Sequence, residues 1–239
     1  MRMPGSITSP TRAQAPVRVL GRYDLEEVIG RGATSRVYRA LDRATGREVA
    51  VKQIPIDMGL EKRVGAEIRA ASRLEHHGVV RMLDWGEDHE YLYLISELID
   101  GPSLERVYED TPPGDRAAAD MAADVLEALA HAHERGVIHR DIKPANILVD
   151  DQGHARVADL GVARLSGETG MTQTGGVVGT MAYMAPEQAT GEQVTGAADV
   201  FAATLVLYEG LTGRNPIIGH NPADTARRAA LGEVPPIRT

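Results

Sequence analysis

Residues 137 to 148 read Val-Ile-His-Arg-Asp-Ile-Lys-Pro-Ala-Asn-Ile-Leu, a short polar loop between two apolar runs. Asp141, Lys143 and Asn146 bring a carboxylate, an ammonium and an amide together within this loop. Phosphoryl transfer needs these three groups, for the attacking hydroxyl, for the phosphate charge and for a metal ion. The alternative is an ordinary solvated loop interrupted by Pro144. The order of motifs in the rest of the chain distinguishes the two interpretations.

Length and composition set the broad class of the protein. With 239 residues and 43% apolar content, the chain suits one large domain or two lobes. A net charge of -8 argues against nucleic acid as a partner. The lack of cysteine excludes disulfides and cysteine-bound zinc. No apolar run is long enough to span a membrane and the N-terminus lacks a signal-peptide core, so we expect a cytoplasmic protein.

The N-terminal part changes character near Tyr23. Residues 1–20 are rich in Pro, Ser, Thr and Gly without a sustained period, which predicts a disordered leader. From residue 21 onward, strand patterns predict a five-stranded antiparallel sheet, and the apolar spacing over residues 60–74 predicts one helix. The expected strands cover residues 23–29, 36–41, 48–54, 79–85 and 91–98.

Two motifs in this sheet point to a phosphate-binding surface. Gly30 and Gly32 stand between the first two expected strands, where a backbone without side chains can approach phosphate oxygens. A plain hairpin turn is the alternative for this glycine pair. In the third strand, period-two alternation places Ala50 and Lys52 on one face, so that a small residue and an ammonium share a surface.

The C-terminal part begins with a clear helix over residues 115–135, closed by Gly136. His131 and His133 lie two positions apart on this helix, hence on different faces, so we interpret both as packing or surface residues. A hairpin is expected over residues 147–149 and 155–158, and it leads to Asp159-Leu160-Gly161. A further helix is expected over residues 196–212.

Asp199, near the start of that last helix, has two interpretations. One is a cap of the helix. The other, a brace for the polar loop around Asp141, is implied only by the family resemblance given below, and position alone favours neither. Between the hairpin and this helix, residues 162–178 are rich in Gly, Ser and Thr and are expected to be mobile.

In their order along the chain, these motifs resemble the protein kinase superfamily over residues 23–216. Two motifs, Asp-Ile-Lys-Pro-Ala-Asn at residues 141–146 and Ala-Pro-Glu at residues 185–187, are most similar to those of bacterial eukaryotic-type (Hanks-type) serine/threonine kinases. The resemblance implies an α+β bilobal fold with an N-lobe over 21–98 and a mainly helical C-lobe over 99–239. Because the chain stops at Thr239, the final C-lobe helices, which supply an arginine partner for Glu187, are expected to be absent.

The resemblance also implies a role for individual residues. Nucleotide binding falls to Ile29, Gly30, Gly32, Val37, Ala50, Lys52, Glu67, Ser96, Glu97, Ile99 and Leu148, with Glu67 preferred over Glu61 as the partner of Lys52. Ser96 would be a small gatekeeper, and the backbone of Glu97 and Ile99 would contact adenine. Catalysis falls to Asp141 and Lys143, metal binding to Asn146 and Asp159, regulatory phosphorylation to Thr172 and Thr174, and the substrate loop to Thr180 and Glu187.

The implied activity is transfer of the γ-phosphoryl of Mg-ATP to Ser or Thr hydroxyls of proteins, with Mn²⁺ as an alternative ion. Implied partners are protein substrates, and a homodimer through the N-lobe is a further expectation. Two other classes remain open: a nucleotide-binding pseudokinase or scaffold, which the short C-terminus favours, and a small-molecule kinase, which the Ala-Pro-Glu segment disfavours.

Overall fold

The computed structural model describes residues 17–32, 34–56, 61–160 and 181–237, with the backbone alone for residues 61–64. Within these ranges the chain forms an antiparallel sheet with one helix, followed by a mainly helical region that contains a short β-hairpin. This two-lobed α+β arrangement is the fold class that the sequence predicts.

The N-lobe sheet has six strands in the part of the chain that the structure describes. They are β1 (Val17–Val19), β2 (Tyr23–Arg31), β3 (Arg36–Asp42), β4 (Arg47–Pro55), β5 (Met82–Glu87) and β6 (Tyr91–Glu97). Their order across the sheet is β1-β2-β3-β4-β6-β5, and all neighbours are antiparallel. Strand β6 lies between β4 and β5, so its last residue, Glu97, pairs with Val49 of β4 inside the sheet.

Strand β1 corrects the expected leader. Val17 pairs with Leu25 and Val19 with Tyr23, and Val19 is buried. Residues 17–20 therefore do not belong to a disordered leader, and the sheet has six strands instead of the expected five. A three-residue strand is too short to show a period of two, which is why the pattern missed it. Residues 1–16 lie outside the described part of the chain.

Alternation along β4 separates the core from the cleft. Val49 and Val51 are 2% and 0% exposed and pack with Tyr23 and Ile95, as the pattern predicts. The alternate residues Ala50 and Lys52 do not belong to this cluster and line the cleft instead. The same strand thus contributes to the core with one face and to the site with the other.

One helix, α1 (Glu61–Ala71), covers the other part of the sheet. Its Ile68 is 1% exposed and packs against Ile54 of β4 and Leu94 of β6. This burial fixes the helix against the sheet, because a side chain of this size contributes about 2 kcal/mol when it leaves water. Glu67 is the residue directly before this anchor.

The C-lobe is built on long helices. In chain order it contains α2 (Leu104–Asp110), α3 (Asp115–Glu134), a 3₁₀ turn (Pro144–Asn146), β7 (Ile147–Val149), β8 (Ala155–Val157), α4 (Pro186–Thr190), α5 (Gly196–Thr212) and α6 (Pro222–Leu231). Helices α3 and α5 pack together through Val125, Leu129 and Ala132 against Ala202 and Val206. None of the described helices combines the length and the apolar character that crossing a bilayer requires.

The polar loop at residues 137–148 starts where α3 ends. Gly136 adopts a left-handed conformation (φ +73°), and Val137 N donates back to the carbonyl of Ala132 at 3.0 Å, which closes the helix. The 3₁₀ turn then begins at Pro144, and β7 pairs with β8 so that Ile147 faces Val157. Helix α3 and the hairpin thereby hold the loop from both sides.

Candidate active site

A cleft of about 1150 Å³ lies between the N-lobe sheet and the polar loop of the C-lobe. The predicted nucleotide, catalytic and metal residues that line it are Ile29, Gly30, Gly32, Val37, Ala50, Lys52, Ser96, Glu97, Ile99, Asp141, Lys143, Asn146, Leu148 and Asp159. Residues that are far apart in the sequence thus meet in one cavity. Glu67 lies on α1, outside this lining, and its pairing with Lys52 stays a prediction.

The roof of the cleft follows from the register of the sheet. Ala50 of β4 lies directly opposite Ser96 of β6, and Lys52 lies opposite Leu94. These two small side chains lie side by side on adjacent strands, on the face of the sheet that lines the cleft, and leave space there. Gly30 and Gly32 continue the roof, and Gly32 N donates to Ser35 O at 2.9 Å to close the turn between β2 and β3.

An ion pair crosses the cleft from roof to floor. The Nζ of Lys52 lies 2.7 Å from the Oδ2 of Asp159. Burial by itself raises the pKa of the Asp159 carboxyl, but the charge and hydrogen bond of Lys52 act against it, so that the pKa lies below its usual range. Asp159 is therefore ionised at neutral pH and presents a carboxylate to the cavity.

Asp141, Lys143 and Asn146 form one cluster on the floor of the cleft. Asn146 Nδ2 donates to the backbone carbonyl of Asp141 at 2.8 Å and to its Oδ2 at 2.9 Å. The Nζ of Lys143 lies 2.9 Å from the same carboxylate oxygen. With Nδ2 directed at Asp141, the amide oxygen of Asn146 is left on the other side of the group. The arrangement brings together a carboxylate, a cation and an amide, as the spacing predicts.

His139, which sequence reasoning did not single out, holds this floor from below. The side chain is fully buried, its Nδ1 accepts from Asp141 N at 3.2 Å, and its Nε2 lies 2.8 Å from the carbonyl of Ala158. A carbonyl accepts only, so the ring carries its proton on Nε2 and is neutral. His139 thereby joins the loop of Asp141 to the residue before Asp159.

Asp199 braces the same loop. Its carboxylate is 1% exposed and accepts from His139 N at 2.8 Å, from Arg140 N at 2.7 Å and from His133 Nε2 at 2.8 Å. The cap of helix α5 is Thr195, whose side chain accepts from Ala197 N. The interpretation of Asp199 as a helix cap is therefore wrong, and the bracing interpretation is confirmed. The interpretation of His133 as a plain packing residue is also incomplete, because it holds Asp199.

Two residues of the site have backbone angles that L-amino acids seldom adopt. Arg140 has φ +69° and Asp159 has φ +60°. Such conformations cost energy and persist where the surroundings fix them. For Arg140 the fixing contacts are its own N–H to Asp199 and its carbonyl, which accepts from Gln188 Nε2 at 2.8 Å. Gln188, on α4, thus ties the segment around Glu187 to the catalytic loop.

The carboxylate of Glu97, at the start of the connection between the lobes, forms hydrogen bonds with residues of both lobes. Its Oε1 accepts from Arg81 N at 2.8 Å and from Arg156 Nη1 at 3.2 Å. Arg81 lies next to β5 and Arg156 in β8, so this carboxylate joins the two lobes. Contacts of the Glu97 and Ile99 backbone with a base stay predictions.

The remaining predicted site residues divide in two groups. Glu187 lies in the first turn of α4 and is half-buried. Thr172, Thr174 and Thr180 lie outside the described residues, as does the whole segment 162–178 that the sequence predicts to be mobile.

Comparison with known proteins agrees with this geometry. The family model described as "Protein kinase domain" matches residues 23–234. A probable serine/threonine-protein kinase of Streptomyces coelicolor is 38% identical over 89% of this chain and 33% of its own length. Serine/threonine-protein kinase PrkC of Bacillus subtilis is 36% identical over 91% of this chain and 34% of its own length.

A third relative, serine/threonine-protein kinase PkaA of Streptomyces coelicolor, is 42% identical over 83% of this chain and 40% of its own length. The chain therefore spans between about a third and two fifths of the length of these curated relatives. Its matched region includes both lobes and every residue that lines the cleft from Ile29 to Asp159. On this evidence the chain belongs to the protein kinase domain family.

Proposed function

We propose that the chain transfers the γ-phosphoryl group of Mg-ATP to Ser and Thr hydroxyls of proteins. The observation that carries the proposal is the common cavity of Lys52, Asp141, Asn146 and Asp159. A phosphoryl transferase must hold phosphate, metal and hydroxyl in one geometry, and these residues supply the cation, the oxygen ligands and the carboxylate for it.

The cleft fits ATP with magnesium. Ala50 and Ser96 leave space for a base beneath the sheet, and Gly30 and Gly32 expose backbone to the phosphates. The ionised Asp159 and the amide oxygen of Asn146 are hard oxygen ligands of the kind that Mg²⁺ prefers, while Mn²⁺ accepts the same set.

Each residue has a distinct task in this mechanism. Lys52 holds the α- and β-phosphates, and its ammonium is fixed by Asp159. Asp141 accepts a hydrogen bond from the substrate hydroxyl, orients it and takes its proton as the new P–O bond forms. The bond between the γ-phosphorus and the bridging oxygen to the β-phosphate breaks in the same step, and ADP leaves. Lys143 offsets negative charge on the transferred group. A bound Mg²⁺, held by Asn146 and Asp159, would neutralise charge on the phosphates.

Protein substrates and Ser/Thr selectivity are inferred from relatives. The three relatives above carry names of serine/threonine-protein kinases, and Ala185-Pro186-Glu187 is absent from most small-molecule kinases. Thr180 and Glu187 would belong to the surface that receives the substrate peptide. A cytoplasmic location and a homodimer through the N-lobe are further parts of the proposal.

We do not favour a pseudokinase. A protein that has lost phosphoryl transfer no longer needs the carboxylate, amide and two ammonium groups in one cleft, and this chain keeps all of them at bonding distances. The relatives also carry kinase names, without a mark of lost activity.

The test is incubation of the purified chain with labelled ATP and Mg²⁺ and a generic Ser/Thr protein substrate. We expect label on Ser and Thr of the substrate, and Asp141→Asn should abolish it. Asp151→Asn, an exposed carboxylate in the turn after β7, is the matched control and should retain activity. No transfer by the parent chain, or equal transfer by Asp141→Asn, would reject the proposal.

A further inference from the structure

A second cluster of metal-ligating side chains lies away from the cleft, where the connection after α1 meets helix α3. His76 and His77 come from that connection and Glu127 from α3. One ligand atom of each lies within 4.8 Å of the others. The Nε2 of His77 lies 3.8 Å from the Oε2 of Glu127. None of these three residues lines the cleft, so the phosphoryl-transfer chemistry leaves the cluster unexplained.

His131 adds a third imidazole to this cluster. It follows Glu127 by four positions on α3 and therefore lies on the same face of the helix. Its ring centre is 4.9 Å from that of His76, and the ring centre of His77 is 4.2 Å from that of His76. The Nε2 of His131 is buried and, among the described residues, has no hydrogen-bond partner. Buried polar atoms without partners are rare in folded proteins, and a bound ligand is one explanation for them.

We propose that His76, His77, Glu127 and His131 form a binding site for a divalent transition metal of the zinc class. Three imidazoles with one carboxylate are ligands that Zn²⁺ prefers, whereas Mg²⁺ and Ca²⁺ prefer sites made of oxygen. The site is thus chemically distinct from the magnesium site proposed for Asn146 and Asp159.

The spacing of the cluster is slightly wider than that of a bound site. Ligand atoms about 2.1 Å from a tetrahedral zinc ion lie roughly 3.4 Å apart. The ligand atoms of His76, His77 and Glu127 lie within 4.8 Å of one another, so these side chains must approach each other by up to about 1.4 Å. His131 lies outside this spacing and must move further to become a ligand. His77 and Glu127 can make this movement by rotamer changes, because both side chains are more than half exposed. His76 and His131 supply the inner half of the site.

Protonation in the metal-free chain is compatible with binding. His76 Nδ1 accepts from Gly78 N at 3.1 Å, which places the proton of the neutral ring on Nε2. A metal ion on either nitrogen replaces this arrangement and costs that hydrogen bond. Burial first, and the neighbouring rings of His77 and His131 second, lower the pKa of His76, while Glu127 acts in the opposite direction. A neutral ring is the form of histidine that binds metal.

Metal at this position would join the two lobes. His76 and His77 follow α1, the helix of the N-lobe that carries Glu67, whereas Glu127 and His131 belong to the core helix of the C-lobe. A metal ion that binds the folded chain and not the unfolded chain raises the melting temperature, and the gain in stability grows with the logarithm of the metal concentration divided by the dissociation constant. Stability therefore gives a readout that does not depend on kinase activity.

The test is titration of the nucleotide-free chain with Zn²⁺ by calorimetry, together with melting temperatures and the visible spectrum of the Co²⁺ form. We expect one ion per chain, a rise in melting temperature and the intense absorption of tetrahedral Co²⁺. His77→Ala and Glu127→Gln should each weaken binding at least about tenfold. Both side chains are exposed, so these variants should fold, which their melting temperatures without metal will check.

His131→Ala tests the inner half of the site and should weaken binding by a similar factor. Matched controls are His89→Ala and Glu134→Gln, which remove an exposed imidazole in the N-lobe and an exposed carboxylate near the end of α3. Both should bind Zn²⁺ as the parent does. The proposal is overturned if the chain binds no Zn²⁺ or if the cluster variants bind it as tightly as the parent. It is also overturned if the control variants lose as much affinity for Zn²⁺ as the cluster variants lose.

Discussion

The Nζ of Lys52, on the central strand of the N-lobe sheet, lies 2.7 Å from the Oδ2 of Asp159, at the end of the C-lobe hairpin. The pair spans the cleft and joins the two lobes at the place where phosphates and metal are expected. The charge and hydrogen bond of Lys52 outweigh the effect of burial on Asp159 and keep the pKa of its carboxyl below the usual range. The two residues act as a unit, and loss of either should disturb the other.

We expect Lys52→Met and Asp159→Asn each to reduce phosphoryl transfer by a factor of at least about 100, because each removes a charge that stabilises the transition state. Circular dichroism should show a native fold, since both side chains are partly exposed in the cleft. Asp120→Asn, which removes an exposed carboxylate on α3, is the control and should leave the rate unchanged. Turnover at the parent rate in either cleft variant would contradict the assigned roles.

A second prediction concerns the roof of the cleft. Because Ser96 lies opposite Ala50 in the sheet, nucleotide-competitive inhibitors with a large substituent should enter the space between them. Ser96→Phe fills that space and should weaken such inhibitors at least about tenfold more than it weakens ATP, measured as inhibition constants against KM. Ser96→Ala keeps the space open and should bind the inhibitors as the parent does. Equal losses of inhibitor and ATP affinity in Ser96→Phe would place Ser96 outside the pocket.

Local patterns predicted the parts of the site that depend on strand and helix periods. Alternation in β4 correctly assigned Ala50 and Lys52 to one face, and apolar spacing correctly predicted the helix α3. These predictions succeed because a side chain's direction follows from its position in a regular element.

Such local patterns could not predict contacts between segments that are far apart in the sequence. An Asp near the start of a helix suits a cap as well as a brace, and only the packing of α5 against the loop of His139 decides for Asp199. The contact of Lys52 with Asp159 and the two hydrogen bonds of the His139 ring likewise depend on how separate elements meet. Strand β1 escaped prediction because three residues do not establish a period.

A third prediction concerns regulation through Thr172 and Thr174. Arg140 precedes the catalytic Asp141, and its Nε is buried without a hydrogen-bond partner among the described residues. A guanidinium in this state can bind a phosphate group through charge-assisted hydrogen bonds. We expect autophosphorylation at Thr172 and Thr174, detected by phosphopeptide mass spectrometry, and loss of most activity in the double Ala variant. Thr169→Ala is the control and should stay active. Phosphate at other positions, or a fully active double variant, would reject this regulatory role.

A fourth prediction concerns stability at low pH. Asp42 accepts hydrogen bonds from the guanidinium of Arg22 at 2.6 and 2.7 Å, and this contact, with further ones from Thr45 and Ala44, holds the pKa of the buried carboxyl well below its usual range. A lowered pKa means that the folded state favours the ionised form. The stabilisation is thus complete well above the unfolded pKa of about 4 and is lost as the pH falls below that value.

Asp42→Asn should therefore lower the free energy of unfolding at pH 7, and the difference from the parent should shrink as the pH falls below about 4. Urea unfolding at several pH values measures this difference. Glu27→Gln, which removes an exposed carboxylate from the neighbouring strand β2, should show a much smaller change at pH 7. A difference for Asp42→Asn that does not change with pH would show that the carboxyl is not ionised in the folded chain.

The last prediction concerns the brace beneath the catalytic loop. Asp199 is buried and accepts from two backbone N–H groups with its two oxygens, and Asn offers one oxygen and turns an NH₂ group toward a second donor. Asp199→Asn should therefore destabilise the fold by about 2 kcal/mol, the cost of a buried donor left without a partner. It should also lower the rate per folded molecule at least about tenfold, because the strained backbone of Arg140 and the adjacent Asp141 lose their support.

Thr195→Ala separates these two effects. It removes the cap of the same helix, where we expect a loss of about 1 kcal/mol, but it leaves both hydrogen bonds to the loop in place. Its rate per folded molecule should equal that of the parent. Urea unfolding and steady-state kinetics, both at a temperature where each variant is folded, measure the two quantities. If Asp199→Asn loses stability alone, or if Thr195→Ala loses as much rate, then Asp199 supports the fold of α5 and not the geometry of the catalytic loop.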